Sequence, residues 1–150
     1  MKSFKSVDDI LHFAIRSAKE TADFFTRLSQ QARNAKMKRI FEQYAREEYA
    51  YMVKLSRVRE IGPLDLTKEQ MKEIKVSEYE IDLQNAVDLK YSEALVMAMR
   101  KVTASFRLYL ELASKTPNNE IQSIFKLLAD EEAKHKRGFE IEYNESLLLC

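Results

Sequence analysis

Residues 45–52 read AREEYAYM and residues 129–136 read ADEEAKHK, two octapeptides 84 positions apart that place an acidic pair two residues after an alanine. Sliding the chain by those 84 positions without a gap also sets Leu11 on Leu95, Ala14 on Ala98, Arg16 on Arg100 and Leu28 on Leu112, then Ile40-Phe41 on Ile124-Phe125. A match that continues through two segments and the turn between them reads as a duplicated unit, because chance similarity between helices would not hold one offset so far.

The unit is a helical hairpin. From Ser6 to about Gln31, Leu11, Ile15, Ala18, Ala22 and Phe25 recur at spacings of four and three, the seam of an amphipathic helix, and Ser6 with Asp9 resembles a capping box. From about Ala35 to Glu60, Met37, Phe41, Tyr44, Glu48, Tyr51, Leu55 and Val58 keep the same beat until Gly62-Pro63 ends it. The second copy runs from about Tyr91 to Ser114 (Leu95, Met99, Val102, Phe106, Tyr109, Ala113), turns at Thr116 to Asn119, and resumes from about Glu120 to Tyr143 (Ile121, Phe125, Leu128, Glu132, His135, Phe139). Residues 61–90 lose the period apart from a short helical candidate at Thr67 to Ile74, opened by a Thr67/Gln70 capping box. The expectation is an all-α chain forming one domain: hairpin 1 over about 6–60, a crossover over about 61–90 and hairpin 2 over about 91–145, packed as a four-helix bundle.

Composition agrees and removes several function classes. Two glycines and two prolines in 150 residues are too few turn residues for a β or α/β fold. Lys+Arg 25 against Asp+Glu 24 leaves a net charge of +1, which gives no electrostatic field favouring nucleic acid or an anionic membrane. The opening MKSFKSVDDILHFAIRSAKE sets charges between its apolar residues, unlike a secretory signal or a membrane span. The single cysteine, Cys150, rules out a disulfide framework and a C-x-x-C iron or zinc module, so a reduced, cytoplasmic setting is expected.

Three polar residues stand on the apolar seam: Glu48, Glu132 and His135. A buried carboxylate must be protonated, hydrogen-bonded or bound to a cation, and duplication places Glu48 and Glu132 opposite each other about a pseudo-twofold axis. Two such acids at close range cannot both stay ionised without a cation between them. Glu132 and His135 have the i, i+3 spacing that lets a carboxylate and an imidazole reach one ion.

With those residues in place, both hairpins resemble the rubrerythrin and erythrin branch of the ferritin-like superfamily. That resemblance implies a ferritin-like bundle in which each half supplies one Glu from its first helix and a Glu-x-x-His from its second, holding two irons that react with oxygen or peroxide. Carried onto this sequence, Glu132 and His135 keep the motif, Glu48 keeps its place, and Tyr51 takes the position of the other histidine. The first-helix positions fall on Ala18 and Val102, and Glu20, about 200° around the helix from Ala18, cannot replace it. The implied metal residues are therefore Glu48, Glu132, His135 and Tyr51, a set suited to one divalent ion (Fe, Mn or Zn) and not to an ordinary di-iron oxidase. The expected role is in iron or oxidative-stress physiology. The alternative is a metal-free bundle for assembly or partner binding, its polar core formed by these residues with Tyr44 or Tyr109.

Other features read more plainly. His12 belongs on a surface or rim, the six methionines fill core gaps, and the aromatic residues pack. Arg16 and Arg100 are exposed helix arginines or a shared salt-bridge position. The Leu147–Cys150 tail is expected to dock on the bundle or on a second subunit of a homodimer.

Overall fold

Ser6 opens the first helix by accepting a hydrogen bond from the Asp9 N–H at 3.1 Å, and α1 runs Val7–Gln31. Only half of the expected capping box forms, because the Asp9 carboxylate accepts from the Lys5 N–H instead of that of Ser6. Asn34 caps α2 (Ala35–Ile61), which stops at Gly62, whose φ of 156° is a conformation open essentially to glycine alone. The crossover carries α3 (Lys68–Glu73), opened by the complete Thr67/Gln70 capping box, and a 3₁₀ turn at Val76–Glu78. The second hairpin is α4 (Tyr91–Lys115) and α5 (Asn119–Leu148). The computed structural model describes residues 4–83, 86 and 88–148.

Duplication is visible in the helix ends themselves: Val7 and Tyr91, Gln31 and Lys115, and Ala35 and Asn119 are each 84 residues apart. Each hairpin packs tightly along its length, and the two meet through α1 against α4 and α2 against α5, the expected bundle of two hairpins joined by a long crossover. The seam residues are buried except Ile15, Tyr44, Met99 and Phe106, which lie half-buried at its edge. The crossover is no loose loop. Leu64, Ile74, Val76, Tyr79 and Leu83 are buried in the bundle, and the carbonyls of Leu64 and Leu83 accept from Thr116 Oγ1 (2.7 Å) and Arg27 Nη2 (3.0 Å).

Two apolar clusters fill the interior. One includes Leu11, Tyr51, Leu55, Tyr109, Leu112 and Phe125; the other includes Phe25, Phe41, Leu95, Val102 and Phe139. Each fully buried Phe contributes about 1.5–3 kcal/mol relative to an exposed one, so the two clusters can carry a polar layer between them. That layer is where Glu48 and Glu132 lie.

The described part of the tail does not fold back on the bundle, one of the two places expected for it. α5 continues five residues past Tyr143, and Leu147 and Leu148 at its end are 48% and 84% exposed. A run of leucines extends a helix as readily as it caps a core, and Leu149 and Cys150 lie outside the described residues. Among the described residues no helix is long and apolar enough to cross a membrane.

Candidate metal centre

The α2 and α5 seams carry Glu48, Glu132 and His135 into the bundle's middle, where their relative exposures are 0%, 0% and 1%. Each offers a ligand atom within 4.8 Å of the others. His135 Nδ1 lies 3.2 Å from Glu48 Oε2 and 3.1 Å from Glu132 Oε1. On the far side of the ring, Nε2 lies 3.1 Å from Glu47 Oε1. The second carboxylate oxygens, Glu48 Oε1 and Glu132 Oε2, are buried with no hydrogen-bond partner, and so is the Tyr51 hydroxyl.

Burial pushes the Glu48 carboxyl well above the usual carboxylate range, and the neighbouring Glu132 pushes it further against the opposing pull of His135. Burial alone would lower the His135 imidazole, but its hydrogen bonds to Glu132 and Glu48 outweigh that and raise it to about 10. Desolvation, reinforced by the Glu48 and Glu132 charges, holds the Tyr51 and Tyr109 phenols protonated. Without a metal ion the cluster therefore retains protons to balance its carboxylates.

Aromatic rings wall the imidazole in. Tyr51 stacks on it with centroids 5.9 Å apart, Tyr44 lies at 4.3 Å, and Phe25 meets it edge-on at 6.0 Å. Tyr44 takes its place because its hydroxyl lies against the backbone at Gly138, where any Cβ would collide with it.

Glu48, Glu132 and His135 come together, Tyr51 joins them through its ring on His135, and Ala18 and Val102 are buried apolar residues. Glu20 is partly exposed and pairs with Arg16. His12 is exposed beside Arg59. Arg16 and Arg100 share no salt-bridge position, since Arg100 reaches the Met97 sulfur.

Sequence reasoning missed Glu47. One residue off the seam, it reads as solvated, yet its 29% exposed side chain reaches the His135 ring from the opposite hairpin. The repeat offered a signal: its counterpart Glu131 is the acid beside Glu132, and, with Tyr51 in the other histidine position, Glu131 pairs with Lys134 at 3.3 Å instead. Also missed was Glu142, 1% exposed, which accepts from Arg33 Nε and Nη2 (3.0 Å each at closest) and from the Tyr91 hydroxyl (2.5 Å), tying α5 to both hairpins.

The family model described as Rubrerythrin matches residues 9–143. The chain belongs to the rubrerythrin family. Among solved structures, one from Thermotoga maritima assigned to the ferritin-like diiron-carboxylate proteins is 25% identical, with a TM-score of 0.78 over 97% of this chain and 99% of that one. A hypothetical protein from Pyrococcus furiosus shares the fold at 18% identity, with a TM-score of 0.73 over 97% of this chain and 92% of that one. No curated protein sequence matches significantly. Among the described residues, the group able to hold a metal ion is Glu48, Glu132 and His135, and the positions that the resemblance assigns to first-helix acids hold the buried Ala18 and Val102.

Proposed function

We propose that this rubrerythrin-family chain holds a single divalent metal ion, iron, manganese or zinc, between Glu48, Glu132 and His135, and serves iron or oxidative-stress physiology without an ordinary di-iron centre. The observation that carries this reading is the pair of buried, unpartnered carboxylate oxygens, Glu48 Oε1 and Glu132 Oε2, beside an imidazole nitrogen. Such atoms are costly unless a cation meets them. The donor set fits one ion: two carboxylate oxygens and one nitrogen suit Fe, Mn or Zn with water at open positions, and Tyr51 offers a fourth oxygen. It does not fit two, because two carboxylates cannot bridge a pair of ions and neutralise about four positive charges.

His135 turns Nδ1 toward the acids, and its Nε2 is held by Glu47, a hydrogen bond that fixes the ring's orientation. Tyr44, Tyr51 and Phe25 exclude water from that ring. A redox-active ion such as Fe(II) would supply one-electron chemistry toward oxygen or peroxide when bound.

The reading extends to a cytoplasmic homodimer, supported by the lone Cys150 and by the exposed Leu147 and Leu148; sedimentation analysis tests the dimer. One observation favours the metal-free alternative: His135 already bonds both acids through one nitrogen, as an imidazolium would. Elemental analysis of protein purified without chelators separates the two. About one divalent ion per chain is the expected result, and metal-free protein that also fails to take up added ions would leave the assembly reading standing.

A further inference from the structure

Away from the carboxylate layer, a cavity of about 410 Å³ opens between α1, α4 and the crossover. Lys101 lies at its floor, 2% exposed, and among the described residues its ammonium makes no ion pair and no hydrogen bond. Glu20 also lines the cavity, but its carboxylate is paired with Arg16, so the buried Lys101 ammonium has no contacting counter-charge and the floor calls for an anionic group. Burial pulls the Lys101 amine down, and Glu20, Glu48 and Glu132 oppose that only through space.

The walls decide what kind of anion. Arg16 and the Ser17 hydroxyl lie on the α1 side, with Arg16 engaged by Glu20 at 3.9 Å. The mouth, however, is formed by the exposed acids Glu80 and Asp82 of the crossover. A simple anion would be repelled at the mouth, and a simple cation would be repelled at the floor. A small molecule with a negative end and a positive end satisfies both. The volume lies within the range of small-molecule sites. The cavity also breaks the pseudo-twofold: Lys101 and Ser17 are counterparts, 84 residues apart, and only one of them is a cation.

We propose that this cavity binds a small zwitterion of the amino-acid class, its carboxylate on Lys101 and Ser17 and its ammonium between Glu80 and Asp82. The cavity is lined by none of the proposed metal residues, whose acids act on Lys101 only through space. The test is calorimetric titration of the full chain with L-alanine, with acetate and ethylamine as probes that keep one end each. L-Alanine should bind the wild type, and each single-ended probe should bind about tenfold or more weakly, since each loses one charge-assisted contact. Lys101→Met, close in length and apolar, should lose L-alanine binding by about tenfold or more. The paired exposed variant Glu80→Gln/Asp82→Asn, checked for unchanged helicity and melting temperature, should bring L-alanine down to the level of acetate. No L-alanine binding to the wild type, acetate binding equal to that of L-alanine, or unchanged binding by the paired mouth variant would each overturn the proposal.

Discussion

Gly138→Ala should destabilise this protein, although the same change in an ordinary helix stabilises it. Replacing a helical glycine by alanine removes unfolded-chain entropy and is worth about 0.8–1 kcal/mol when nothing opposes it. Here the added Cβ would overlap the Tyr44 hydroxyl and lie 3.1 Å from its Cζ and 3.3 Å from its Cε2. Tyr44 cannot shift inward, because Phe25, Phe41, Phe139 and His135 surround its ring at centroid distances of 4.3–6.5 Å. Overpacking costs about 1–3 kcal/mol, and a full overlap with an enclosed side chain falls in the upper half, about 2–3 kcal/mol, so the net loss should be about 1–2 kcal/mol. Thermal unfolding should show it as a fall of about 2–8 °C for a chain of this length. Adding Tyr44→Phe should recover part of the loss by removing the colliding oxygen, while the close ring carbons keep recovery incomplete. A Gly138→Ala variant more stable than wild type by about 1 kcal/mol would refute the packing of Tyr44 against α5 and the aromatic wall built on it.

Three further outcomes follow from the same geometry. His135→Ala should abolish the rise in melting temperature given by Mn(II) or Zn(II), a stabilisation worth about 2.7 kcal/mol at a hundredfold excess over Kd, while Glu20→Ala should keep it. The triple variant Ala18→Glu, Val102→Glu, Tyr51→His should melt below wild type without metal, since it buries two further acids, and Fe(II) should raise it more than it raises wild type; equal shifts would refute the correspondence of positions. Arg33→Ala should cost more stability in chemical denaturation than Arg46→Ala. The first strands the buried Glu142, whereas Arg46 bonds only the exposed Gln43.

The hairpins and the central acids were legible because both depend on period. Apolar residues at spacings of four and three fix which face of each helix is buried, and a Glu or His on that beat must enter the core with them. What period cannot see was lost. The crossover docks through single residues such as Leu64, Ile74 and Tyr79, each placed by tertiary contact and not by a repeating pattern. Glu47 and Lys101 sit on long, flexible side chains, and nothing local distinguishes one that reaches inward from one that meets solvent. Glu142 was readable in principle, since it continues the beat of Glu132, His135 and Phe139, but its partner Arg33 stands in a turn 109 residues away. The course of the tail was hidden for a different reason: leucines that prolong α5 and leucines that fold back on a bundle have the same local sequence.

With Ala18 and Val102 at the positions assigned to the first-helix acids, the proposed centre has a place for one ion, and the stoichiometry of metal binding measures that directly. Anaerobic titration of the metal-free chain with Fe(II), read by calorimetry and by absorption after exposure to air, should saturate at about one weakly held ion per chain without an oxo-bridge band. Saturation at two tightly bound irons with that band would contradict the account and show that first-helix ligands lie elsewhere in the chain.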